Sequence, residues 1–218
     1  TRFHYRSATS PCDMMDHFRS LGVSEFQISL AVGTWHQEDL IEDIENIADL
    51  FEVATRQSVR SFRTAEPYLL RGIQFVLDGF SLREKRAHVC GAGRSFMAVN
   101  YNGEAFPCYL LESPDTSYGF LSSANWDESR FTEVLERFAC NGKDFHAVCR
   151  SCWANETCQS CLGPSFQIEP SVTKPPGWFC RFQKRLIAAA LGEIAAARAS
   201  AEWTLFLDNM RKHLQPLS

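Results

Sequence analysis

Several things are missing from this 218-residue sequence, and each absence excludes something. No apolar run approaches the roughly 20 residues a membrane-spanning helix needs, so no membrane segment is expected. Charge of one sign is also lacking. Twenty-two Lys and Arg stand against 26 Asp and Glu, a net charge of −4, without the basic excess of a general nucleic-acid binder. The opening Thr1-Arg2-Phe3-His4-Tyr5-Arg6 carries no export-signal hydrophobic stretch, which points to a reducing, cytoplasmic setting. There is no internal repeat or low-complexity tract, no Ser-His-Asp set, no P-loop and no dinucleotide glycine motif. At 45% hydrophobic residues the chain is too apolar for disorder and long enough for one large core or two small ones.

Local signals then organise the chain. Ser10-Pro11-Cys12-Asp13 starts a helix, with Ser as N-cap, Pro in the first turn and Asp against the helix dipole. Met14, Met15, Phe18 and Leu21 form its apolar stripe, and Gly22 ends it. Val23–Val32 reads as a strand and Gln37 to about Ala54 as an acidic amphipathic helix. Residues 65–80 read as helical through Tyr68, Leu69, Ile73, Val76 and Leu77. From Cys90 onward short strands replace long periodic segments. Asn102-Gly103 predicts a hairpin, because both residues tolerate positive φ. A short helix is expected over Asp127–Phe138 and one long helix from Arg181 to about His213.

What the chain does have is cysteine: nine residues, eight of them between 90 and 180. Cys90 is followed after twelve residues by Gly103 and after four more by Cys108; then come Cys149-x2-Cys152-x5-Cys158-x2-Cys161, and finally Cys180. An odd count suits a disulfide framework poorly, whereas clustered thiols in a reducing compartment suit zinc or iron–sulfur clusters. Two 4Fe–4S clusters bound through thiolates alone need eight ligands, and one zinc needs four. Cys149, Cys152, Cys158 and Cys161 by themselves make a compact zinc knot, which leaves Cys90, Cys108 and Cys180 without a shared role.

Cys90-Gly91-Ala92-Gly93, Asn102-Gly103-Glu104-Ala105-Phe106-Pro107-Cys108, Cys149-x2-Cys152-x5-Cys158 and Cys180 together resemble the SPASM extension of radical S-adenosylmethionine enzymes, over roughly residues 90–181. The family pattern is C-x9–15-G-x4-C, then C-x2-C-x5-C-x3-C, then C. This chain has two residues, Gln159-Ser160, where the family usually has three. The resemblance implies two auxiliary 4Fe–4S clusters, the first on Cys90, Cys108 and Cys161 with Cys140 as candidate fourth ligand, the second on Cys149, Cys152, Cys158 and Cys180. It also implies an α/β fold: residues 1–64 as the end of a partial (β/α) barrel, 65–89 as a connecting helix or linker, 90–181 as the α+β SPASM domain and 182–218 as a C-terminal helix.

The function implied is maturation of a ribosomally made peptide or protein by radical chemistry. The radical-generating Cys-x3-Cys-x2-Cys motif is absent. S-adenosylmethionine and a third 4Fe–4S cluster therefore belong to an N-terminal half or a separate subunit, and the catalytic residues are unknown. Phe96, Phe106, Tyr109, Trp153 and Phe179 are expected to bury the clusters. His146, three residues before Cys149, is a minor candidate ligand, and Arg83, Lys85 and Arg86 are a solvated run that suits docking of an acidic leader peptide. The reading of a different class is a non-catalytic iron–sulfur or zinc module that docks a peptide or partner subunit.

Overall fold

The computed structural model describes residues 10–30, 43–79, 88, 90–122, 126–139, 142–158, 160–163, 166 and 177–213. Cys140, the Arg83–Arg86 run, the Gln37 start of the acidic helix and the far end of the Val23–Val32 strand lie outside them. The chain divides into two compact units, one drawn from residues 1–30, 38–84 and 181–218, the other from 31–37 and 85–180. Both mix helix with small sheets, and the sheets among the described residues have two and three strands and form no closed barrel.

In the first unit, helix α1 (Pro11–Ser20) begins with a complete capping box: Asp13 N donates to Ser10 Oγ at 3.1 Å, and Ser10 N donates to Asp13 Oδ2 at 2.9 Å. It ends where Gly22 takes φ +87, with Val23 N donating to Phe18 O and Gly22 N to Arg19 O. Strand β1 (Glu25–Phe26) pairs in parallel with β2 (Leu69–Leu70), and the connection carries helix α2 (Ile44–Ser61). A 3-10 turn (Arg71–Ile73) and the short helix α3 (Gln74–Gly79) follow.

The expected helix over 65–80 is thus helical only from Arg71 on: Leu69 and Leu70 form a strand, and the residues before them are neither helix nor strand. Tyr68, Leu69 and Leu70 are all buried, and a short run buried on every side satisfies a strand as well as a helix. The far side of β2 is closed by side chains of α2. Ser58 Oγ donates to Tyr68 O and accepts from Leu70 N, while Ser61 Oγ accepts from Tyr68 N. Those buried serines also explain why α2 runs seven residues beyond its expected end: its core-facing stripe continues through Thr55, Ser58 and Val59, where hydrophobicity alone fades.

The expected single C-terminal helix is two, α6 (Gly177–Arg198) and α7 (Trp203–His213). Ser200 breaks it by donating its hydroxyl to Ala197 O at 2.8 Å. Glu202 then sits at the N-terminus of α7, its carboxyl held down to about 2 by hydrogen bonds from Ser200 and Arg63. Phe51 packs edge-on against Phe182, and Asn209 caps the end of α2 by donating to Phe62 O at 3.0 Å and Thr64 O at 2.9 Å. No helix among the described residues is long and apolar enough to cross a membrane.

Glu193 of α6 is only 5% exposed and accepts from Arg60 at 2.6 Å and Arg56 at 3.3 Å. Glu52 accepts from Arg56 and Arg185, each at 2.9 Å. The hydrogen bonds from Arg60 hold the Glu193 carboxyl below its ordinary 4.5, and those from Arg56 and then Arg185 do the same for Glu52. A carboxyl lowered in the folded state contributes stability above about pH 4.5 that is lost as pH falls through the depressed value. The urea midpoint is therefore expected to be lower at pH 3 than at pH 7. Glu193→Gln is expected to cost about 1.5–3 kcal/mol at pH 7, as loss of charge-assisted hydrogen bonds does, and to show a smaller drop on acidification.

The second unit is built on a three-stranded antiparallel sheet, β3 (Ala98–Val99), β4 (Glu104–Phe106) and β5 (Gly119–Phe120). The turn between β3 and β4 is the one Asn102-Gly103 predicts, with Gly103 at φ +86 and Gly103 N donating to Asn100 O. Helix α4 (Glu128–Ala139) lays Val134 and Phe138 into a core with Ala92, Ala105, Leu111, Tyr118 and Leu162, against which Cys90 and Cys108 pack. The four-residue helix α5 (Ala147–Arg150) carries Cys149.

Candidate metal centres

None of the eight described cysteines is in a disulfide, and each is partly buried. Seven lie in the second unit. Cys12 lies on α1 of the first, its thiol raised by burial and then by Asp16 and Asp13.

Cys90 and Cys108 are brought together by backbone. After Cys90 the chain turns tightly, with Arg94 N and Ser95 N both donating to Gly91 O at 3.0 Å, and Gly93 N reaches Pro107 O, the carbonyl before Cys108. Gly93 sits at φ +68, and a Cβ there would lie 2.8 Å from Phe138 Cβ, so this turn needs glycine. The hairpin delivers Cys108 from the other side. Its thiol is raised by burial, while backbone N–H groups of Leu110 and Tyr109 donate to the sulfur and the charge of Cys90 acts on it.

Cys161 belongs with these two. Burial pushes its thiol up to about 11; Gly163 N–H donates to it, and the charges acting on it are those of Cys90 and Cys108. Contact between the two loops is close enough that a Cβ on Gly163 would meet Leu110 Cδ1 at 2.6 Å. Tyr109 likewise senses Cys108 and Cys161.

The other four thiols form a second set. Cys152 N donates to Cys149 O at 3.0 Å, Asn155 N to Cys152 O at 3.0 Å and Cys158 N to Ala154 O at 2.8 Å, so successive turns fold the x2 and x5 spacers back on themselves. Burial pushes the Cys158 thiol up to about 11, and after Lys143, which lowers it, the charges acting on it are Cys180, Cys149 and Cys152.

Among the described residues no three His, Cys, Asp or Glu side chains converge on a point one metal ion would occupy. A tetrahedral zinc draws its four sulfurs to about 3.8 Å from one another, which follows from a Zn–S bond of about 2.3 Å. A 4Fe–4S cluster asks less convergence of its ligands, because each thiolate binds a different iron. The donor chemistry fits such a group: the sulfurs are soft, and N–H groups already point at Cys108 and Cys161, as at cluster sulfurs whose potential they tune. Buried donors without a partner stand beside the second set in sequence, among them Ser160 Oγ and Trp178 Nε1. His146 Nε2 is also buried without a partner, and burial lowers the imidazole pKa.

One expectation needs correction. Of the five aromatics expected to shield the clusters, Phe106 and Phe179 are buried, but Phe96, Tyr109 and Trp153 are half exposed or more, at 50%, 72% and 60%. Tyr109 and Trp153 directly follow Cys108 and Cys152 in tight turns, where a side chain adjacent to an inward cysteine is turned outward. The alternative zinc knot of Cys149, Cys152, Cys158 and Cys161 would join Cys161 to the second group, whereas the thiolate charges acting on Cys161 are those of Cys90 and Cys108. Cys140 lies outside the described residues.

Sequence reading missed Lys143. It is 3% exposed, its ammonium donating to Cys158 O at 2.9 Å and to Asn155 O. Nothing in Asn141-Gly142-Lys143-Asp144 distinguishes it from a surface lysine; its burial comes from residues twelve and fifteen positions away. Comparison with protein-family models and with curated proteins finds no match for this chain.

Proposed function

We propose that this chain is the C-terminal part of a radical S-adenosylmethionine maturase of peptides or proteins, with two 4Fe–4S clusters held by its second unit. The observation that carries the reading is that the thiolate charges acting on Cys161 are those of Cys90 and Cys108, while those acting on Cys158 are Cys180, Cys149 and Cys152. Bound clusters would supply one-electron transfer or an open iron site for a substrate group. The first set has three described thiols, with Cys140 as candidate fourth ligand, so it is the one suited to an open iron.

The chain's own residues do the rest. Backbone N–H groups of Leu110, Tyr109 and Gly163 orient and stabilise the sulfurs of the first set. Exposed Tyr109, Val148 and Trp153 flank both sets and offer apolar contacts to a precursor peptide. The absent Cys-x3-Cys-x2-Cys motif assigns S-adenosylmethionine and its own cluster to an N-terminal half or a partner subunit. The same exposed side chains favour the second reading, a non-catalytic module that docks a peptide or partner.

Iron, acid-labile sulfide and zinc per chain after anaerobic reconstitution test this. About eight iron and eight sulfide support two clusters. One or two zinc without sulfide overturn the redox reading and leave the docking module.

A further inference from the structure

We propose that the indole N–H of Trp178 donates to a sulfur of the group held by Cys149, Cys152, Cys158 and Cys180, fixing that group at the first turn of α6 and favouring its reduced state; this rests on the iron–sulfur reading. Trp178 is 8% exposed, and its Nε1 has no hydrogen-bond partner among the described residues. An indole nitrogen is a donor only, so nothing but an acceptor satisfies it. A buried tryptophan ordinarily finds one, and a donor left without it bears the whole cost of its lost hydration. The ring meets that of Phe179 edge-on at 5.6 Å, and Phe179 is buried as well.

The place of this donor points to the acceptor. Trp178 is the second residue of α6 and Cys180 the fourth, so both stand in the first turn of the helix. The positive end of the helix dipole lies there and favours an anion. Of the buried side-chain polar atoms without a partner among the described residues, only Thr55 Oγ1 lies away from the two cysteine sets. The others are His88 Nδ1, two residues before Cys90; His146 Nε2, three before Cys149; Ser160 Oγ, two after Cys158 and one before Cys161; and Trp178 Nε1, two before Cys180. A folded chain leaves few such atoms, and their gathering beside the thiols is what a bound group rich in acceptor sulfurs explains. A 4Fe–4S core on four thiolates is such a group, an anion that one added electron makes more negative. An N–H donated to sulfur stabilises the more negative state more strongly.

The test uses the full chain, isotopically labelled at its indole nitrogens and reconstituted anaerobically with iron and sulfide. Dithionite supplies one electron per cluster and is itself oxidised to sulfite, and the reduced clusters are read by pulsed electron paramagnetic resonance. A coupling from an indole nitrogen to one cluster is expected in the parent. It is expected to vanish in Trp178→Phe, which keeps an aromatic ring and removes the N–H. Potentiometric titration of that variant is expected to move one couple only. Its reduced-to-oxidised ratio at fixed potential should fall about fivefold, or about 40 mV at about 59 mV per tenfold for a one-electron couple. The proposal is overturned if the parent shows no indole coupling, if the coupling survives in Trp178→Phe, or if neither couple moves. Where Trp178→Phe fails to load its second cluster, Trp178→His, whose ring keeps an N–H, decides: recovered loading supports the proposal and equal loss overturns it. A parent chain that binds no iron or sulfide sinks the iron–sulfur reading itself, a separate failure visible before any variant is made.

Discussion

Cys158→Ser is expected to reduce the iron content of the reconstituted chain from about eight to about four atoms, with sulfide falling in parallel. Serine is nearly isosteric, but its hard oxygen is a poor ligand for a group that selects soft sulfur. The loss should stop at half because the thiolate charges acting on Cys158 are those of Cys180, Cys149 and Cys152, whereas those acting on Cys161 are Cys90 and Cys108. Cys161→Ser should therefore remove the other half. A single zinc knot makes the opposite forecast: Cys158 and Cys161 would be ligands of one ion, and either substitution would release the same metal. Metal analysis and the visible spectrum of the two variants, measured side by side, check this. Loss of the same cluster from both, leaving the same spectrum, would refute the two-set arrangement. Four iron remaining in each, but with different electron paramagnetic resonance signatures, is the expected result.

What was legible in the sequence was what local chemistry decides. Ser10, Pro11 and Asp13 form their capping box within four residues, Gly22 ends α1 by its own positive φ, and the turn at Asn102-Gly103 closes within residues 100–103, with Gly103 alone at positive φ. The unread parts depend on distant partners. Leu69 and Leu70 become a strand because Glu25 and Phe26 lie alongside and because Ser58 and Ser61 close the other edge. The break between α6 and α7 carries neither glycine nor proline; it turns on one serine hydroxyl and an ion pair from Arg63 to Glu202.

The candidate site divides the same way. Cysteine spacing and the Gly103 turn could be read directly. That Cys161 lies near Cys90 and Cys108 could not, because it depends on the Gly163 loop lying against Leu110. Burial of Lys143 was equally hidden, since it is set by carbonyls across a loop. The aromatic residues show the limit of composition: hydrophobic character put Tyr109 and Trp153 inside, and turn geometry puts them outside.

Phe138→Ala is expected to be the most damaging single change outside the cysteines. Phe138 is fully buried on α4, in contact distance of the turn that follows Cys90, and its core neighbours include Leu111 and Leu162, which lie three residues after Cys108 and one after Cys161. Truncating a buried Phe costs about 3–5 kcal/mol, the transfer of the ring plus the cavity left behind. In a unit of this size each kcal/mol lowers the melting temperature by about 4–8 °C. The Gly93 turn cannot collapse into the space, because its own backbone is committed to the Pro107 carbonyl at φ +68. Loss of this support should therefore reach the first cysteine set before the second. Bound metal should in turn offset part of the destabilisation, since ligand that binds only the folded chain adds to its stability. Calorimetry of apo and reconstituted Phe138→Ala, with iron analysis, checks both. The expected outcome is a lower apo melting transition and preferential loss of the first cluster; equal loss from both sets would show that the second depends on this core as much as the first.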